Sequence, residues 1–246
     1  MTKLTEKLIE ITDALATGVD ELRFVSPVAF VYNPLIYARD AHVRYIKKYA
    51  KSGAVLWVGM NPGPFGMAQT GVPFGDVSKV KGWLGISETV GEPANPHPKR
   101  PIAGFSCPRK EVSGSRLWEW AESRFKTPDA FFQQFFVLNY CPLVFMEESG
   151  RNRTPNKLSA LERKRLFAVC DRALLQTLNV LQPSWVVGIG GFAEQRIRAA
   201  VGKMSVKTGR ITHPSPANPA ANRGWQARIE SELTDMGINI SNVGDN

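Results

Sequence analysis

The sequence predicts an α/β fold, a three-layer α/β/α sandwich with a central, mainly parallel four-stranded sheet. Three observations carry that expectation. Short continuous apolar runs alternate with segments of helical periodicity, the pattern of a parallel sheet covered on both faces. The 246 residues suit a single domain, 1–246, without an internal repeat, low-complexity tract or linker to split it. Hydrophobic residues make up 43% and charged residues 22%, which excludes disorder and collagen-like structure.

Taken in order, residues 3–24 place Leu4, Leu8, Ile11 and Leu15 at helical spacing, so an N-terminal helix is expected. Ser26 to Pro34 reads as extended and Pro-broken, and His42 to Tyr49 as a short basic helix. Ala54 to Gly59 is a continuous apolar run ending in glycine, as buried parallel strands are. A Gly/Pro-rich loop from Asn61 to Gly75 follows, then a helix over Val77–Leu84. Residues 87–112 form a Pro/Gly-rich excursion, and a helix is expected over Ser115–Phe125. Phe135 to Tyr140 is the second strand. Leu161 to Leu181 is the clearest helix, with a stripe through Leu166, Cys170, Leu174, Leu178 and Leu181. Ser184 to Gly190 is the third strand, Gly191 to Val201 a helix, Arg210 to Thr212 the fourth strand, and Trp225 to Met236 a last amphipathic helix.

Composition narrows the function classes. Lys and Arg number 31 against 22 Asp and Glu, a formal +9 that points to a polyanionic partner. No run approaches the roughly 18 apolar residues of a membrane span, and the N-terminal segment has no signal-peptide pattern. Three cysteines without a C-x-x-C pair offer neither a disulfide framework nor a four-cysteine metal site. The expected setting is therefore the cytoplasm or nucleoid, or the nucleus of a eukaryote, with no membrane partner, no secretion, no metal and no cofactor. A monomer is expected.

In parallel sheets ligands sit outside the carboxyl ends of the strands. The residues there are Met60-Asn61, Asn139-Tyr140 and His213, which would converge on one edge. The loop Gly59 to Met67 is no phosphate cradle: it lacks the Walker lysine and the G-x-G-x-x-G spacing, and Pro62 and Pro64 remove two backbone donors. Its prolines and glycines instead make a rigid loop that a flat ligand can approach closely.

The run Gly59-Met60-Asn61-Pro62-Gly63-Pro64-Phe65-Gly66-Met67-Ala68-Gln69-Thr70-Gly71-Val72-Pro73-Phe74-Gly75 resembles the first motif of the single-strand-selective monofunctional uracil-DNA glycosylases. His213-Pro214-Ser215-Pro216-Ala217-Asn218-Pro219, with Asn222, Gly224 and Trp225, resembles their second motif. His97 to Pro101, Asn139 to Leu143 and Ser149 to Pro155 are similar too, so the resemblance spans most of residues 25–236.

The resemblance implies a uracil-DNA glycosylase-like fold and a base-excision repair enzyme acting on single-stranded and duplex DNA. It would flip out uracil, and related damaged bases such as 5-hydroxymethyluracil, and hydrolyse the N-glycosidic bond without lyase chemistry. Asn61 takes the water-positioning role; a carboxamide has no usable basic pKa, so a dissociative path is expected. His213 donates to the charge developing on uracil O2. Asn139 reads the pyrimidine edge, Phe74 stacks on its face, and Met60, Gly63 and Met67 complete the substrate pocket, with the loop Gly63–Met67 governing the C5 position. The loop Pro214, Ser215, Pro216, Ala217, Asn218 and Pro219 takes the part of a wedge entering the space the base vacates. Ala217 stands where a longer arginine is common in the family, a departure that would weaken duplex opening. Arg223 is a DNA contact; Lys99, Arg100, Arg109, Lys110 and Arg151 are further candidates for phosphate. His42 and His97 are assigned nothing catalytic.

A basic α/β protein binding a free nucleotide, which would show little salt dependence on DNA, stays open from the residues alone, as do two readings that involve DNA. One is a mismatch-specific uracil/thymine glycosylase of the same superfamily, against which the Met67–Gly75 and Ala217–Trp225 runs argue. The other is a non-catalytic binder of damaged DNA, which would barely respond to loss of Asn61 or His213.

Overall fold

The computed structural model describes residues 2–202 and 204–240. Helix α1 (Lys3–Asp20) is capped by Thr2, whose side chain accepts from the Thr5 N–H. Strand β1 (Phe30–Tyr32), the single turn α2 (Pro34–Tyr37) and α3 (Arg39–Tyr49) follow. Strand β2 (Val55–Gly59) is buried at all five positions, which explains its unbroken apolar run: both faces are covered. After the short helices α4 (Met67–Thr70) and α5 (Val77–Gly82) come α6 (Val112–Phe125), α7 (Pro128–Gln134) and β3 (Phe135–Asn139). Strands β4 (Val144–Met146) and β5 (Asn152–Arg153) precede α8 (Ala160–Leu181), whose N-terminus carries a capping box between Ser159 and Glu162. The chain continues through β6 (Trp185–Ile189), α9 (Gly191–Val201), β7 (Lys207–Ile211) and α10 (Trp225–Asp235).

Strands β3-β2-β6-β7 form a four-stranded sheet in that order, and all three pairings are parallel. Side chains alternate across it. Trp57 and Phe135 point to one face, where Trp57 stacks on Trp120 of α6 and Phe135 on Phe131 of α7 at centroid distances of 5.4 Å each. Phe136 points to the other face and stacks on Tyr45 of α3 at 5.2 Å, while the Tyr45 hydroxyl donates to the Val137 carbonyl at 2.8 Å. Among the described residues no helix is long and apolar enough to cross a membrane.

The expected sandwich and its four parallel strands are present, with local corrections. Helix α1 ends at Asp20 rather than near residue 24. The loop Asn61–Gly75 contains α4, closed by Gly71 in the left-handed region at φ +70°. Helix α6 starts at Val112, three residues before the expected Ser115. Strand β7 covers Lys207–Ile211 instead of Arg210–Thr212, so His213 lies in the loop just beyond the strand. Unforeseen were α7 and a small antiparallel sheet, β1-β4-β5. That sheet holds the segment Asn152–Thr154 at the edge of the functional cleft.

Candidate active site

The carboxyl ends of the parallel strands meet at a cleft of about 300 Å³. Strand β2 delivers Met60 and Asn61, β3 delivers Asn139 directly opposite Gly59, and the chain after β7 delivers His213. Gly63, Met67 and Phe74 come from the loop beyond β2. Every residue expected to be catalytic or to bind the base therefore lines one cleft.

Its floor depends on Gly59. A Cβ there would meet Phe74 ring carbons at 2.6 and 2.8 Å and would also overlap Asn139 Oδ1. Only glycine lets the ring and the carboxamide approach the strand end this closely. Phe74 itself has φ +53°, a conformation rare for an aromatic residue. Its carbonyl is held by the Trp118 indole N–H at 2.9 Å and the Asp76 N–H at 2.8 Å, and Gly114 of α6 leaves the space that carbonyl occupies. The strained backbone is thus over-determined by α6.

The two carboxamides are oriented differently. Asn61 donates from Nδ2 to the Leu143 carbonyl at 3.0 Å and to the Pro62 carbonyl at 3.2 Å. Both donor bonds are made to the protein, which leaves Oδ1 as an acceptor for the cleft. Asn139 places Nδ2 3.3 Å from the Met67 thioether, with Oδ1 packed over Gly59.

His213 is half-buried, and burial lowers its pKa to about 4, so the ring is neutral near pH 7. The Ser215 N–H donates to its Nδ1 at 3.1 Å. An acceptor Nδ1 in a neutral ring puts the proton on Nε2, making that atom a donor. The loop behind it is tied to the same residue: Asn218 Nδ2 donates to the His213 carbonyl at 3.1 Å. Thr212 is fixed by Glu232, which accepts from its N–H at 2.7 Å and its hydroxyl at 2.6 Å.

The remaining expected contacts divide. Ser215 lines the cleft, and Pro216, Ala217 and Pro219 stand exposed on the loop, with Asn218 half-buried. Pro214 is buried at the root of the loop, its carbonyl accepting from the Arg116 guanidinium at 2.9 Å. Arg223 is exposed on a short turn outside the cleft. Arg109 and Arg100 converge on the Phe65 ring, with guanidinium carbons 4.5 and 5.5 Å from its centroid. Lys110 pairs with Glu119 at 3.2 Å in a solvent-exposed ion pair, and Lys99 and Arg151 are exposed. His42 and His97 are buried away from the cleft; His42 Nδ1–H donates to the Gly71 carbonyl at 2.8 Å, and His97 Nδ1 accepts from the Lys99 N–H at 2.9 Å.

Sequence reasoning missed Glu111, Ser113, Asn152 and Thr154 in the lining. Glu111 caps α6, its carboxylate accepting from the Ser113 N–H at 3.1 Å and from the Gly114 N–H. Burial pushes its pKa up, opposed by those two backbone donors. No usual N-cap residue marks that helix start. Among the described residues no cluster of His, Cys, Asp or Glu is placed to hold a metal ion.

The parallel four-stranded sheet, with helices around it and a cleft at its strand ends, agrees with what comparison with known proteins finds. The family model of the uracil DNA glycosylase superfamily matches residues 46–233, and the chain belongs to that superfamily. Within it, the chain belongs to the single-strand-selective monofunctional uracil-DNA glycosylases. It is 44% identical over 238 residues to the rat "Single-strand selective monofunctional uracil-DNA glycosylase", covering 96% of this chain and 86% of the relative. The Bos taurus protein of the same name is 46% identical over 221 residues, covering 89% and 81%. The crystal structure of wild-type Pedobacter heparinus SMUG2 matches with a TM-score of 0.68 at 19% identity, over 96% of this chain and 98% of that one, a likeness of fold.

Proposed function

We propose that this chain is a monofunctional DNA glycosylase that removes uracil from DNA by hydrolysis. One observation carries the reading most directly: an aromatic face, two carboxamides and a neutral imidazole with its proton directed to Nε2 line one base-sized cleft. The relatives' names support the reaction class, and the lining of the cleft supports the parts given below to Phe74, Asn139, His213 and Asn61.

A base in the cleft stacks on Phe74 and presents its polar edge to Asn139. The carboxamide accepts from uracil N3–H and donates to O4, a pair that cytosine reverses. The C1′–N1 bond breaks first, the electron pair leaving on the base, whose O2 takes a hydrogen bond from His213 Nε2–H. A preorganised donor of this kind lowers such a barrier by roughly 2.7–4 kcal/mol. Water held by Asn61 Oδ1 then forms the new C1′–O bond; its proton passes to solvent, and the departing base takes one up from solvent. Asn61 orients the water and need not be a base. The loop 215–219 fills the space left in a duplex.

The test uses single-stranded and duplex oligonucleotides that each carry one uracil, resolved with and without hot alkali. Strand breaks only after alkali are the expected result. Breaks without alkali would require lyase chemistry. DNA binding with no release of uracil would leave a binder and overturn the proposal.

A further inference from the structure

Helix α6 holds the cleft on one side through Glu111, Ser113 and the Trp118 bond to Phe74. It also reaches the loop on the other side through one residue, half-buried Arg116. The Arg116 guanidinium donates to the Pro214 carbonyl at 2.9 Å and to Asn222 Oδ1 at 2.9 Å. Asn222 passes the restraint on, donating from Nδ2 to the Pro216 carbonyl at 2.8 Å. The root, the tip and the far end of the loop are thereby tied to the helix that also fixes the stacking ring.

The exposed part of this loop, Pro216, Ala217 and Pro219, carries no long side chain. A loop of small residues can hold open a base stack only if its backbone is already in place, since ordering it during the reaction costs entropy. We propose that Arg116 is a positioning residue that sets the loop against the base cleft and serves duplex substrates, not single strands. In a duplex the loop replaces a stacked, paired base; in a single strand no opposite stack has to be kept apart. The planar fork suits two acceptors at once, which a lysine ammonium does not reproduce.

The inference rests on the glycosylase reading, and its experiment separates the two. Single-turnover uracil release by Arg116→Met is compared with wild type on one strand, free and annealed, together with thermal unfolding and the salt dependence of DNA binding. Duplex release falls on the order of tenfold, as for loss of charge-assisted hydrogen bonds, while single-strand release stays within about twofold. Arg116→Lys recovers part of the loss, and Asn222→Ala gives a smaller loss of the same kind. Equal losses on both substrates, or no duplex loss, overturn the brace. A salt slope lowered by about 1 overturns it too, because Arg116 would then be a phosphate contact. Wild type inactive on both forms overturns the glycosylase reading as well. If Arg116→Met does not fold, Asn222→Ala decides by the same comparison.

Discussion

Replacing Gly59 by alanine tests whether the strand-end cleft is where the base sits. The added Cβ would lie 2.6 Å from a Phe74 ring carbon, against about 3.5 Å for an ordinary carbon–carbon contact. The ring, the Asn139 carboxamide or both must therefore retreat by about 0.9 Å. Retreat is opposed on each side, because the Phe74 carbonyl is held by Trp118 and Asp76, and Asn139 is the last residue of a paired strand. Overpacking of this size costs about 1–3 kcal/mol of stability, which a folded domain survives. A misplacement of about 1 Å at reacting groups costs catalysis on the order of 100-fold. Gly59→Ala should thus remain folded by circular dichroism, melt a few degrees lower, and release uracil about 100-fold more slowly in single-turnover assays on single-stranded oligonucleotide. Release within threefold of wild type would refute the reasoning, since neither Phe74 nor Asn139 would then be reading the base.

Three further outcomes follow from the same geometry. Asn61→Ala should lower single-turnover rate on the order of 100-fold with little change in DNA affinity by fluorescence anisotropy; a parallel loss of affinity would mean that Asn61 serves binding. With the His213 pKa near 4, the rate should show no His213 titration between about pH 5 and 8 and should decline only as pH falls toward 4; a step near pH 6.5 that disappears in His213→Asn would contradict a neutral donor. Stability should also depend on acid. His42 and His213 are both lowered to about 4, His42 chiefly by burial, against about 6.5 unfolded, so the unfolded chain binds more protons below pH 6.5. Each histidine then removes up to about 1.4 kcal/mol per pH unit as pH falls from about 6.5 to 4, and His42→Asn should flatten the decline in urea midpoint over that window.

How much was legible in the sequence depended on the range of the forces involved. Val55 to Gly59 and Trp185 to Ile189 could be read as strands because burial on both faces demands unbroken apolar residues. The ends of β2, β3 and β7 then pointed to the cleft before any contact was known. Helix α7 was legible in principle from Thr127-Pro128-Asp129, an N-cap followed by proline at the first helical position. The start of α6 was not, because Glu111 caps it where Ser, Thr, Asp or Asn is usual. Strands β4 and β5 are too short for any periodicity, and their pairing is a tertiary matter. Arg116 looks like any helix-surface arginine in the sequence. What distinguishes it is a loop from nearly a hundred residues downstream, brought alongside by the fold.

In the proposed reaction the groups that would face the departing base, Asn139 and His213, are neutral and placed in advance. The proposed reaction creates an anion on the base, and a buried imidazolium opposite it would carry a desolvation cost before any substrate arrived. A neutral imidazole avoids that cost, but it has two tautomers, and only one donates from Nε2. The Ser215 N–H selects that tautomer. The group doing so belongs to the turn that Asn218 ties back to the His213 carbonyl. The orientation of the imidazole is therefore set by one turn of backbone. Proline on both sides of Ser215 keeps that turn stiff. Seen this way, the prolines around His213 contribute by holding the imidazole in a single protonation geometry, and the loop's small, uncharged side chains leave that geometry undisturbed.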